Sequence, residues 1–264
     1  MRERTIWGLI AMAVFLPFLL LGGLSFQLFV GILAMIAVAE MLHMKGLEFF
    51  SIEGVLAMLG AFVLTVPLDN YLSFLPIDSS FSTFTLMMFL LLAGTVINSD
   101  SYSFEDAAYP IVSSFYVGIG FQNLVNARLD GIDKVVFALF IVWATDIGAY
   151  SVGRRFGKQK LLPKVSPNKT IEGSLGGIAC AVIVSIIFML FDKGVYASHN
   201  FFIMLIFVVL FSIFGQFGDL VESALKRHFG VKDSGKFIPG HGGALDRFDS
   251  MIFVFPIMHL LGLF

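Results

Sequence analysis

Apolar residues fill this chain in long runs separated by short polar connectors, and nine of the runs are candidate membrane spans: about 5–22, 24–44, 53–69, 81–97, 107–126, 132–151, 172–191, 201–222 and 249–264. A bilayer core asks for about 20 mostly apolar residues per helix, fewer where the bilayer thins. The pattern therefore predicts an all-α, polytopic integral membrane protein with about nine transmembrane helices. The first run follows Met1-Arg-Glu-Arg4 but is long, and Gly22-Gly23-Leu24-Ser25 is a poor cleavage site, so it is read as a helix rather than a signal peptide. The last run is short and contains Pro256. Turn formers mark the connectors at 69–80 and 98–106.

Charge gives the runs a direction. With nine spans, fourteen of the 17 Lys and Arg residues fall on one side, most of them in the loops 152–171 and 223–248; only Arg128, Lys134 and Lys193 fall on the other. The positive-inside rule then places the N-terminus and both polar loops in the cytoplasm. Neither loop is long enough to fold alone, so residues 1–264 are read as one membrane domain. Its N-terminal helical part is 1–130, and its catalytic part, 131–264, carries both loops. Composition agrees: 58% of residues are hydrophobic and 14% charged, too few polar groups to cover a soluble domain. A net charge of −2 argues against a nucleic-acid partner. The single cysteine, Cys180, lies in an apolar run and reads as a packing residue; intrachain disulfides are excluded.

The candidate chemistry is concentrated near the C-terminus. If the run ending at Arg227 is helical, Asp219, Glu222, Ser223 and Lys226 share one face. Glu222 and Lys226 suit an ordinary i,i+4 ion pair, whereas Asp219 lies deeper. Asp246 and Asp249 flank Arg247 at the start of the last run, where acids also complement a helix dipole. Clustered carboxylates repel unless a cation neutralises them, so Asp219, Asp246 and Asp249 are expected to meet around Mg²⁺, as one ion or two. Lys226, Arg227, Lys232 and Arg247 are the candidate phosphate contacts, with Asp233 and Ser223 beside them and His241, between glycines, a phosphate donor or acid. Asp146 sits inside a span, where an ionised Asp costs about 2.5–3.5 kcal/mol, and is a site candidate as ligand, support or nucleotide contact. Glu40 is read as a helix-end interfacial residue beside His43 and Lys45. In the first loop, Ser166-Pro-Asn168-Lys169-Thr170 reads as a helix start whose N–H groups, with Lys169 and the Ser and Thr hydroxyls, form an anion seat. Gly173-x-x-x-Gly177 reads as a helix-packing face.

These residues resemble the phosphatidate cytidylyltransferase (CDP-diacylglycerol synthase) family. The resemblance is carried by Ser223-x-Leu225-Lys226-Arg227, Lys232-Asp233-x-Gly235, Ile238-Pro239-x-His241-Gly242-Gly243 and Asp246-Arg247-Phe248-Asp249, at fixed spacing, and by Ser166-Pro-Asn-Lys-Thr-x-Glu172-Gly173. Ala244 departs from the larger aliphatic residue usual there, and residues 1–130 resemble the family only in being apolar. The resemblance implies CTP and phosphatidate as substrates, CDP-diacylglycerol and pyrophosphate as products, and Mg²⁺ as cofactor. It further implies a multi-pass cytoplasmic-membrane enzyme facing the cytoplasm, in contact with membrane lipid, and a homodimer. It assigns Asp219, Asp246 and Asp249 to metal, Lys226, Arg227, Lys232 and Arg247 to phosphates, and Ser223 and His241 to substrate. Two alternatives remain beside it at this stage: a CTP-dependent lipid kinase of the dolichol kinase type, and an ion-coupled transporter with Asp146 and Asp219 on its path.

Overall fold

The computed structural model describes all residues except 1, 69, 70, 72–78, 193, 197, 198, 238, 239 and 241, with side chains from Ile6 onward. Among the described residues each of the nine apolar runs contains a helix. In chain order these are α1 (Arg2–Leu21), α2 (Gly23–Lys45), α3 (Ile52–Thr65), α4 (Ser80–Ile97), α5 (Phe104–Asp130), α6 (Ile132–Phe156), α7 (Ile171–Phe191), α8 (Phe201–His228) and α9 (Leu245–Leu260). A two-stranded antiparallel hairpin, β1 (Lys160–Leu162) and β2 (Ser166–Thr170), lies between α6 and α7. Among the described residues α2, α4, α6, α7 and α8 are long and apolar enough to cross a membrane, while α3 is a shorter apolar helix. The protein is an all-α membrane protein.

The chain is described as two compact units. Unit 1 comprises residues 1–125 and 233–246, and unit 2 comprises 126–232 and 247–264. The polar loop after α8 is thus split: its end, from Asp233, belongs with the N-terminal helices.

In unit 1, α2 runs through a buried core of Phe26, Val30, Ala34, Ala37, Val38, Met41 and Leu42. Polar groups that end up inside find backbone partners, as burial without one is costly. Tyr109 Oη of α5 donates to Met41 O at 2.8 Å, Ser114 Oγ lies 2.7 Å from Ala57 O, and Ser80 Oγ donates to Val66 O at 3.1 Å. Ser51 caps α3, its hydroxyl accepting from Gly54 N at 3.0 Å.

In unit 2, small residues let α6 and α7 meet backbone to backbone. A Cβ at Gly173 would come within 2.8 Å of Ala149 O, one at Gly177 within 2.7 Å of Thr145 O, and one at Gly148 within 2.7 Å of Cys180 Sγ. Gly173 and Gly177 therefore serve as the packing face their spacing suggests, and Cys180 is a packing residue. Between α6 and α8, Thr145 Oγ1 and Ser212 Oγ hydrogen-bond at 2.8 Å in the buried core. The Lys134 ammonium donates to Gly194 O and Val195 O at 3.3 and 3.2 Å, capping the carbonyls of a short 3₁₀ turn, Gly194–Tyr196.

Candidate active site

The polar end of unit 2 is built from α6, the hairpin, α8 and α9. The helix expected to start at Ser166 starts instead at Ile171: residues 166–170 are strand β2. Two physical causes combine. A residue before proline is pushed toward extended backbone, here Ser166 before Pro167, and Thr170 is the better cap, its hydroxyl accepting from Gly173 N at 3.1 Å. The anion seat of backbone N–H groups expected at Ser166 is consequently not formed there. The hairpin is held from below by Glu172, whose carboxylate accepts from Lys158 N at 3.0 Å and Gln159 N at 3.2 Å. Gly153 and Gly157 at the end of α6 lie so close to Thr170 that a side chain on either would meet its hydroxyl.

That hairpin delivers Lys169 to the Asp219 carboxylate of α8, with which it forms an ion pair. On α8, Ser223 Oγ donates to Asp219 Oδ1 at 3.3 Å, and Lys226 Nζ donates to Glu222 Oε2 at 2.8 Å. The predicted polar stripe is real. Its deepest member is Glu222, which is fully buried, while Asp219 and Lys169 stay about one-third and one-quarter exposed. The next helix comes close because α8 has no side chain at Gly218: a Cβ there would land on the carbonyl oxygen of Asp249. Asp249 is thereby brought within electrostatic reach of Asp219 and close to the Glu222 carboxylate. It also takes its own helix's Ser250 N–H at 2.6 Å. Asp146 of α6 lies within electrostatic reach of Asp219, Asp249, Lys169 and Arg247. Unit 2 thus gathers Asp146, Lys169, Asp219, Glu222, Ser223, Lys226, Arg247 and Asp249. Arg227, Lys232 and Asn168 are exposed, Ser166 pairs with Leu162, and Thr170 serves as a cap.

The remaining candidates belong to unit 1. Asp233 is exposed. Asp246 Oδ2 accepts from Ser234 N at 2.9 Å, Ser234 Oγ at 2.8 Å and Gly243 N at 2.8 Å, so one of its oxygens already closes the 234–243 loop. His241 lies outside the described residues. Among the described residues no group of three His, Cys, Asp or Glu side chains that could hold a metal ion is found; Asp246 belongs to unit 1, Asp219 and Asp249 to unit 2.

Two acids were underrated by the sequence. Glu222 reads as an ordinary helix-end ion pair with Lys226; the pair is present, and Glu222 is fully buried. Glu40 reads as an interfacial residue, yet it is 8% exposed and accepts hydrogen bonds from Ala244 N and Leu245 N, with Ser234 Oγ 3.2 Å away. The signal available was position: both acids lie in apolar runs, where ionisable groups are expensive and tend to be functional.

Apolar helices here bring carboxylates and amines together beside a hairpin, an arrangement chemically suited to phosphate groups. The comparisons name the family. The model of the cytidylyltransferase family matches residues 2–264, and the chain belongs to that family. It is similar to the phosphatidate cytidylyltransferase of Staphylococcus saprophyticus, 46% identical over 263 residues covering 99% of this chain and 98% of that protein. The phosphatidate cytidylyltransferases of Staphylococcus haemolyticus and Staphylococcus aureus are each 44% identical with the same coverage. The protein is an enzyme, a nucleotidyltransferase.

Proposed function

We propose that the protein transfers a cytidylyl group from CTP to phosphatidate, giving CDP-diacylglycerol and pyrophosphate. The observation that carries this reading is the unit 2 assembly in which Lys169 pairs with Asp219 while Asp219 and Asp249 approach across the Gly218 contact. Near-full-length similarity to proteins named phosphatidate cytidylyltransferase supports the substrates. Family membership favours cytidylyl transfer over the kinase and transporter readings.

In this reaction an oxygen of the lipid phosphate forms a bond to the α-phosphorus of CTP, and the bond from that phosphorus to the bridging oxygen breaks, releasing pyrophosphate. A phosphomonoester has a second pKa of about 6 and is largely ionised at neutral pH, so no strong base is needed. The difficulty is bringing two anions together, and positioning with charge neutralisation supplies the catalysis. Lys226, held by Glu222, and Lys169 are the amines placed to receive phosphate oxygens. Arg247 supplies a fork that matches a phosphate edge.

The donor set fits Mg²⁺, which binds hard oxygens through one or two carboxylates and completes its shell with water and substrate phosphates. Asp219 and Asp249 are the pair that would hold it, and the ion would supply charge neutralisation at the phosphates. Asp246, with Oδ2 engaged, is assigned to shaping the loop. The distribution of Lys and Arg supports a site that faces the cytoplasm, with the acyl chains of the lipid remaining in the bilayer.

The test is an incubation of the detergent-purified protein with α-labelled CTP, phosphatidate and Mg²⁺. A labelled CMP-lipid with stoichiometric pyrophosphate is expected. Label appearing as CDP, with a phosphorylated lipid alcohol, would replace this reading with the kinase.

A further inference from the structure

Helix α9 takes a cap from a distant part of the chain. The residue before it is Ala244, which offers no side-chain acceptor for the first N–H groups of the helix, and a helix start leaves four such groups without a backbone partner. The acceptor comes instead from α2, about two hundred residues earlier. Glu40 Oε1 accepts from Ala244 N at 2.8 Å, and Glu40 Oε2 accepts from Leu245 N at 2.9 Å. Oε2 also lies 3.2 Å from Ser234 Oγ.

The same loop presents its other N–H groups to Asp246 Oδ2, from Ser234 and Gly243. Two carboxylates are therefore wrapped by four backbone N–H groups and one hydroxyl. The Ser234 hydroxyl has a single hydrogen, and the shorter contact, 2.8 Å, is to Asp246. The backbone follows Glu40 so closely that a side chain at Gly235 or Gly243 would displace its carboxylate. A Cβ at Gly235 would come within 2.6 Å of Glu40 Oε1, and one at Gly243 would fall on the carboxylate itself. Glu40 is 8% exposed and Ser234 2%. A carboxylate placed at this depth without such donors would be costly, so the acid and the loop shape specify each other.

We propose that Glu40 is a positioning residue for the transferase reaction: a carboxylate on α2 that caps the start of α9 and fixes Ser234 and Gly243–Leu245, and so sets the helix start from which Arg247 and Asp249 follow. The proposal rests on the reaction assigned above. It also explains the glycines at 235 and 243 as residues required by the buried acid rather than by a bound phosphate. Glu40 does not itself touch the reacting atoms. Its action is through the loop and through the first residue of α9, the helix on which Arg247 and Asp249 follow.

The experiment compares the unaltered full chain with Glu40→Gln, Glu40→Asp and Gly243→Ala, each purified in detergent. Backbone amide exchange is read by mass spectrometry, and kcat and KM for CTP are measured at saturating phosphatidate. Gln keeps the size but replaces one acceptor oxygen with a donor facing an N–H. The expected result for Glu40→Gln is exchange at least tenfold faster in 234–245, with the α2 core unchanged, and a kcat/KM for CTP at least tenfold lower in the folded protein. Glu40→Asp, which keeps both acceptors on a shorter arm, is expected to fall between. Gly243→Ala reaches the same loop from the other side and is expected to reproduce the defect with Glu40 intact. Glu40→Gln with unaltered exchange in 234–245 would overturn the proposal. So would faster exchange there with an unaltered kcat/KM, which would leave Glu40 a purely structural cap. A wild-type chain with no transferase activity would sink the reaction instead, and the exchange arm would still decide whether Glu40 holds the loop.

Discussion

At the scale of the residue, the site is built from opposed and paired charges. Asp219 and Asp249 stand against each other across the Gly218 contact, with Lys169 on one and Glu222 on the other. Asp219→Asn and Asp249→Asn each keep the side-chain volume and remove the negative charge. Each is expected to lower kcat by at least about 100-fold, the magnitude typical of deleting a group that acts on the developing charge, while the melting temperature in detergent stays close to that of the unaltered protein. Full activity in either variant removes that residue from the metal assignment. Lys226→Ala is expected to raise KM for a phosphate-bearing substrate more than it lowers stability. It also leaves the buried Glu222 carboxylate without its cation, so a small stability loss accompanies it. Much of this constellation was legible in the sequence, because Asp219, Glu222, Ser223 and Lys226 fall three and four apart and a helix turns that spacing into one face. Glu40 was not legible as a partner of the loop. Its donors, Ser234 and Ala244, are 194 and 204 positions away, and no periodicity reports a contact of that range.

At the scale of the element, glycine and cap positions decide how the helices meet. Gly218→Ala would drive a methyl group into the Asp249 carbonyl. Overpacking of this kind typically costs about 1–3 kcal/mol, and here it also separates Asp219 from Asp249. A lower unfolding temperature together with a loss of turnover is expected, and a variant of normal stability and activity would show that α8 and α9 do not need that contact. Thr170→Val removes the cap of α7 and is expected to destabilise by about 1 kcal/mol, measured by denaturation in detergent. The start of α7 shows where local rules compete. Ser166-Pro167 carries a helix-start signature, but the bias of a pre-proline residue toward extended backbone and the cap offered by Thr170 put 166–170 in a strand. The helices themselves were legible because long apolar runs admit few other structures in a membrane.

At the scale of the whole molecule, the division of the chain was not legible. Asp233–Asp246 follows α8 in sequence but belongs to the unit of the N-terminal helices, and the buried carboxylate that holds this segment lies about two hundred residues earlier, on α2. Orientation belongs to this scale too. In a Cys180→Ser background, single cysteines introduced at exposed Asn168 and Lys232 are expected to react with a membrane-impermeant thiol reagent only from the cytoplasmic side, as the skewed Lys and Arg distribution requires. Labelling of the two from opposite sides would contradict a site built from both loops. The most direct measurement of the central claim remains turnover of α-labelled CTP with phosphatidate by the purified protein, titrated with Mg²⁺ and then with chelator. The account predicts a labelled CMP-lipid and equimolar pyrophosphate, abolished by chelation and restored by added Mg²⁺; labelled lipid formed undiminished in excess chelator would contradict it.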